Sequence, residues 1–121
     1  MRYLCTVVIE EKKLSALSDE DFRALEKESL EYDETLRQGG HFVAAQALEP
    51  VSAATMVRTR NGKISITDGP FAETNEQIGG FILIEARDLN EAILLASRIP
   101  AGRFGGVEVR PVRELLTSAR I

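Results

Sequence analysis

The sequence predicts an α+β domain whose sheet carries two helices on one face and a second copy of the chain on the other. Three observations lead there. Apolar periodicity switches between strand and helix in the order β-α-β, hairpin, β-α-β. Two of the strands are apolar on both alternating sets. The chain, at 121 residues, fits one domain and has no third layer to offer.

Residues 3–9 are rich in β-branched and aromatic side chains and stop at Glu10-Glu11, as a first strand would. Ser18 with Asp21 three residues on resembles a capping box, and Phe22, Leu25, Ser29, Tyr32 and Leu36 then recur on one helix face. Gly39-Gly40 ends this helix, because glycine readily takes the left-handed conformation a helix C-terminus needs. Residues 41–48 form a second strand, stopped by Pro50. Residues 54–59 and 63–67 flank Arg60-Asn61-Gly62, and Asn-Gly favours the positive φ of a tight hairpin. Asp68-Gly69-Pro70-Phe71 is a turn by composition. Residues 79–86 are another apolar strand. Asp88 caps a second helix with Leu89, Ala92, Ile93, Ala96 and Ile99 inward, and Pro100 stops it. Residues 101–106 are a glycine-rich loop, and 107–112 alternate as a last strand. Residues 114–121 read as a short helix or a loose tail. Two βαβ halves in this order give a ferredoxin-like sheet with both helices on one face.

A strand with one wet face alternates apolar and polar residues, yet residues 4–9 and 81–84 are apolar on both sets. Leaving such side chains in water costs roughly 1.5–3 kcal/mol each. Two helices cover one face only, so a homodimer built sheet on sheet is the expected cover. A monomer capped by its own C-terminal segment and loops is the alternative.

Nineteen acids against fifteen bases give a net charge of −4, which argues against direct nucleic-acid binding. No apolar run approaches the ~20 residues that cross a bilayer, and the first residues do not resemble a signal peptide. A cytoplasmic protein without a membrane partner is expected. The single cysteine, Cys5, lies in an apolar run and reads as a small buried hydrophobe rather than a nucleophile. One histidine and one cysteine far apart give no metal-ligand spacing. There is no phosphate loop, nucleophile elbow or dinucleotide fingerprint, so no metal and no cofactor is expected.

The candidate catalytic residues are His41 and Asp68. Imidazole moves protons near neutral pH, and His41 sits at a strand end, where pockets open. A half-exposed histidine favoured by a helix C-terminus is the competing reading. Asp68 can accept backbone N–H groups across its Gly-Pro turn, or act as a base or orient His41. Glu73 lies just beyond, beside the turn. Ser29 and Tyr32 interrupt the apolar stripe of the first helix and can wall a small polar pocket. Arg58 can hold a carboxylate by a paired fork, and Arg103, next to Phe104 in the glycine-rich loop, can close over a pocket.

Residues 67–74, Thr-Asp-Gly-Pro-Phe-Ala-Glu-Thr, followed by Glu76-Gln77-Ile78-Gly79-Gly80-Phe81, resemble the signature of the DGPF branch of the YCII-related family. Residues 54–60 before the motif, and 86–92 and 107–112 after it, extend the resemblance over nearly the whole chain. The resemblance implies a dimeric α+β barrel. It also implies one of two functions: an enzyme using a His–Asp pair in a cleft, or a regulatory protein associated with alternative sigma factors. The family histidine lies on the first helix. Ser29 falls at or near that position, so that assignment does not transfer to this chain.

Two functions follow as expectations. One is a cofactor-independent isomerase or lyase acting on a small organic molecule by proton transfer. The other is a non-catalytic ligand-binding or regulatory module.

Overall fold

The structure, a computed structural model, describes residues 1–115. The segment 114–121, expected as a short helix or a loose tail, therefore lies almost wholly outside the described residues. The first strand, β1 (Arg2–Glu10), runs into a short helix, α1 (Glu11–Ser15), that the sequence pattern did not reveal. The long helix α2 (Asp19–Gln38) follows. Ser18 caps it, accepting the Asp21 N–H at 3.0 Å. At its end Gly40, with φ of 78°, takes the left-handed turn and His41 N–H returns to the Leu36 carbonyl.

Next come β2 (Phe42–Ala47), a 3₁₀ turn (Val51–Ala53), and the hairpin strands β3 (Thr55–Arg60) and β4 (Lys63–Asp68). Asn61 and Gly62 both have positive φ, 51° and 77°, as the Asn-Gly signal demands. After β5 (Glu76–Glu85), Asp88 caps α3 (Leu89–Ala96) by accepting the Glu91 N–H. Pro100 then opens a second 3₁₀ turn (Pro100–Phe104), and β6 (Gly105–Pro111) closes the fold. The expected loop at 101–106 is thus a turn over residues 101–104 and the start of a strand at Gly105 and Gly106.

Four strands form one antiparallel sheet in the order β2-β5-β1-β6, the ferredoxin-like arrangement, and β3 and β4 form a separate two-stranded sheet. The fold class is therefore mixed α+β, as expected. Tyr3, Cys5, Val7 and Ile9 on β1 and Ile82 and Ile84 on β5 point to one face. There they meet Leu36 of α2 and Ala92 and Ala96 of α3 in a single buried cluster. Of the predicted helix faces, Leu25, Leu36, Ala92, Ala96 and Ile99 are buried. Phe22, Leu89 and Ile93 stay 40–50% exposed.

The other face of the sheet receives no described helix. It carries Leu4, Thr6 and Val8 beside Phe81, Leu83 and Ile78, paired Leu4↔Leu83, Thr6↔Phe81 and Val8↔Ile78. The register slips between Val7 and Val8, leaving Gly79 as the extra residue, and a Cβ there would come within 2.8 Å of the Ile9 side chain. Most of this second set is half-buried rather than buried. The two apolar sets are thus unequal: one makes the core and the other is left partly wet.

Candidate functional site

The sequence-predicted site residues fall in three separate places. The first is a groove of about 720 Å³ between α2, α3, the second 3₁₀ turn and β6, with Glu28, Leu89, Ile93, Arg98, Arg103 and Val107 among its walls. Buried Pro100 sets the turn. Gly102 lets it lie against β6, since a Cβ there would sit 2.9 Å from the Val107 side chain. This close approach brings Arg103 over α2. Its Nη1 and Nη2 donate to the two carboxylate oxygens of Glu28 at 3.1 and 2.9 Å, a bidentate fork. That hydrogen bonding holds the Glu28 carboxyl below its ordinary range and raises the Arg103 guanidinium above its own.

Ser29 and Tyr32 lie on the same helix, both half-buried. The Tyr32 hydroxyl donates to the Leu95 carbonyl at 2.6 Å and so ties α2 to α3. Burial raises its pKa. Beneath these helices Cys5 is fully buried, and burial pushes its thiol up to about 11. It therefore stays protonated near neutral pH and serves as a small core side chain.

His41 occupies a second place, the corner between α2 and β2. Its Nδ1 lies 2.8 Å from the Glu85 carbonyl oxygen. A carbonyl only accepts, so Nδ1 carries the hydrogen and Nε2 keeps its lone pair in the neutral ring. The corner is tight: a Cβ on Gly39 would come 2.9 Å from the His41 Cδ2.

The third place is the hairpin and the turn after it. Asp68 ends β4, exposed, and its carboxylate has no hydrogen-bond partner among the described residues. The turn is held instead by the Gly69 N–H donating to the Ala54 carbonyl at 2.9 Å, and the Gly69–Pro70 peptide is cis. Gly69 is needed for this approach, as a Cβ would meet the Ala54 Cβ at 2.9 Å. The side-chain Asx-turn expected of Asp68 is thus replaced by a backbone contact. Arg58 lies over the Phe71 ring, 5.8 Å from its centroid, and Glu73 is exposed.

No hydrogen bond or ion pair joins His41 and Asp68 among the described residues, and their strands are anchored at different ends of β5. His41 bonds at Glu85, one end of β5. The hairpin springs from the opposite end, where Leu48 bonds Gly79 and Val51 bonds Glu11. Six residue steps of strand separate Glu85 from Gly79, roughly 20 Å at the usual rise. Glu28, whose partner is 75 residues away in sequence, carried no signal that could have marked it. No group of three or more His, Cys, Asp or Glu side chains able to hold a metal occurs among the described residues. No described helix is long and apolar enough to cross a membrane.

Comparison with known proteins places these features in a family. The chain is 32% identical over 114 residues to an uncharacterised protein of Rhizobium meliloti (strain 1021), a match covering 93% of this chain and 92% of that protein. The model of the YCII-related domain matches residues 1–116. On both grounds the chain belongs to the YCII-related family.

Proposed function

We propose that the protein works as a homodimer joined through the uncovered sheet face, and that each copy binds a small carboxylate-bearing organic molecule in the groove beside Arg103. The observation that carries the ligand reading is the composition of that groove. Leu89 and Ile93 present exposed apolar walls; Arg98, which has no ion-pair partner among the described residues, supplies the available cation, and Arg103, whose fork is held by Glu28, would have to exchange that carboxylate for the ligand's. An apolar cleft with a few convergent polar groups is the usual form of a small-molecule site. The half-buried Leu4, Val8, Phe81 and Leu83 support the homodimer.

Binding without catalysis is the reading the geometry supports best, because the acid–base candidates His41 and Asp68 stand apart. Such a module can regulate a partner, a sigma factor included. The proton-transfer reading, an isomerase or lyase, rests on one feature. Hydrogen bonding to Glu85 fixes the His41 tautomer and leaves Nε2 free to accept a proton.

A thermal-shift screen of small carboxylates tests the binding reading. A stabilising ligand is expected, with its effect lost in Arg98→Ala and Arg103→Ala and kept in His41→Ala. Stabilisation that survives both arginine substitutions contradicts it. Loss in His41→Ala, accompanied by turnover in the wild type, favours the enzyme.

A further inference from the structure

β6 is an edge strand, and its free side lies along the groove. The four-stranded sheet ends at β6 on one side and at β2 on the other. β2 carries a register shift between Phe42 and Ala44, which blunts an edge. β6 runs beside β1 from Gly105 to Pro111 with no shift.

The register shows which backbone groups of β6 face outward. Opposed residues in an antiparallel ladder alternate between pairs that exchange hydrogen bonds and pairs that do not. The Val112 N–H donates to the Arg2 carbonyl at 3.0 Å, one step beyond the Tyr3↔Pro111 pair, so Leu4↔Arg110 and Thr6↔Glu108 are the bonded pairs. The other side of β1 agrees. There the Ala86 N–H donates to the Met1 carbonyl, which assigns Tyr3, Cys5 and Val7 to β5 and leaves Leu4 and Thr6 for β6. Val107 and Val109 therefore turn their N–H and C=O groups away from β1, and no described strand receives them. Pro111, next in the same phase, has no N–H to offer.

The side chains of these same two valines line the groove, facing the half-exposed Leu89 and Ile93 of α3. α3 crosses from the end of β5 to the start of β6 and so runs antiparallel to both. Leu89 lies toward the Pro111 end, and Arg98 and Arg103 lie toward the Gly105 end. The groove thus has a short backbone ladder on one side, an apolar wall on the other, and cations at one end. A small carboxylate engages the cations and leaves the ladder unused. An extended peptide ending at the cations uses all three, by strand addition and carboxylate capture together.

We infer that the groove takes the C-terminal end of an extended peptide. Its backbone pairs with Val107 and Val109 and continues the antiparallel order of the sheet. Its apolar side chains meet Leu89 and Ile93, and its terminal carboxylate reaches Arg98 and, by exchange with Glu28, Arg103. This inference rests on the carboxylate-binding reading of the groove and names the class of ligand.

Amide hydrogen exchange of the ¹⁵N-labelled protein tests it, alone and with a mixture of N-acetylated pentapeptides that alternate apolar and polar residues and end in a free valine or leucine carboxylate. In the free protein the Val107 and Val109 amides are expected to exchange at least about tenfold faster than those of Glu108 and Arg110. The peptides are expected to slow the two valine amides by at least about tenfold. Capping the peptides as C-terminal amides, or Arg98→Ala in the protein, is expected to abolish that protection. Protection that persists in either arm overturns the carboxylate contact. Val107 and Val109 amides already slow in the free protein mean that another segment, such as β6 of a second copy, holds the edge, and overturn the inference. Hexanoate serves as the small-molecule control in a thermal-shift assay. Stabilisation by hexanoate without peptide protection at Val107 and Val109 overturns the peptide and leaves the small-carboxylate reading standing. No effect of either probe overturns both.

Discussion

The four-stranded sheet and the β3–β4 hairpin are both built of hydrogen-bonded antiparallel strands, yet they differ in what their side chains touch. On β1 and β5 the inward set, Tyr3, Cys5, Val7, Ile9, Ile82 and Ile84, is at most 8% exposed under α2 and α3. On the hairpin, Val57, Ile64 and Ile66 have the same chemistry and complete register, and all are more than half exposed. Alternation and turn chemistry are local and suffice to set a strand and its pairing. Burial is not local: it needs a second layer, and among the described residues only the larger sheet has it.

The contrast can be broken most directly at the core. Ile84→Ala is expected to lose about 2–5 kcal/mol of unfolding free energy, by transfer and cavity terms together. Ile66→Ala, made in a Leu83→Glu background to keep the chain single, is expected to change it by less than ~0.5 kcal/mol. Urea denaturation reads both, and comparable losses would mean that the hairpin is part of the cooperative core. Gly80→Ala comes next. A Cβ there would sit 2.7 Å from the Gln46 carbonyl oxygen, and backbone cannot swing aside as a side-chain tip can. A loss of about 1–3 kcal/mol is expected. Removing the α2 cap with Ser18→Ala should cost about 1 kcal/mol.

Two smaller effects sharpen the comparison between buried and exposed chemistry. With its pKa pushed up to about 11, Cys5 should resist thiol reagents at pH 8 in the native protein and react on unfolding. Rapid labelling of the folded protein would contradict its burial. Glu28 has a folded pKa below its ordinary value of 4.5. Its contribution to stability is therefore full above that value and fades as pH falls through the lower, folded pKa. Glu28→Gln should lower the melting temperature slightly at pH 6. The difference from wild type should shrink in acid, where an unchanged difference would show that the Arg103 fork contributes nothing through charge.

Much of the fold was legible because its signals are local. Ser18 and Asp88 cap helices through their own side chains, Asn61-Gly62 turns the hairpin, and the apolar runs of β1 and β5 are central strands. The short helix α1 was missed because five residues, Glu11–Ser15, are too few to display a period. The site was less legible, since its parts meet only through the fold. Arg103 was marked as a residue that could close over a pocket, and it does line the groove, but its partner Glu28 sits on a helix 75 residues earlier. His41 and Asp68 invited pairing by residue type. No hydrogen bond or ion pair joins them among the described residues, and no local pattern encodes which strand ends meet.

Sedimentation equilibrium of the wild type and of Leu83→Glu tests the central claim, that a second copy covers the outer sheet face. The wild type should sediment as a dimer at micromolar concentration. Leu83→Glu should sediment as a folded monomer, because it places a charge in the middle of that face without touching the helix-side core. A wild type that remains monomeric as concentration rises, or a Leu83→Glu variant that dimerises as tightly as wild type, would contradict it.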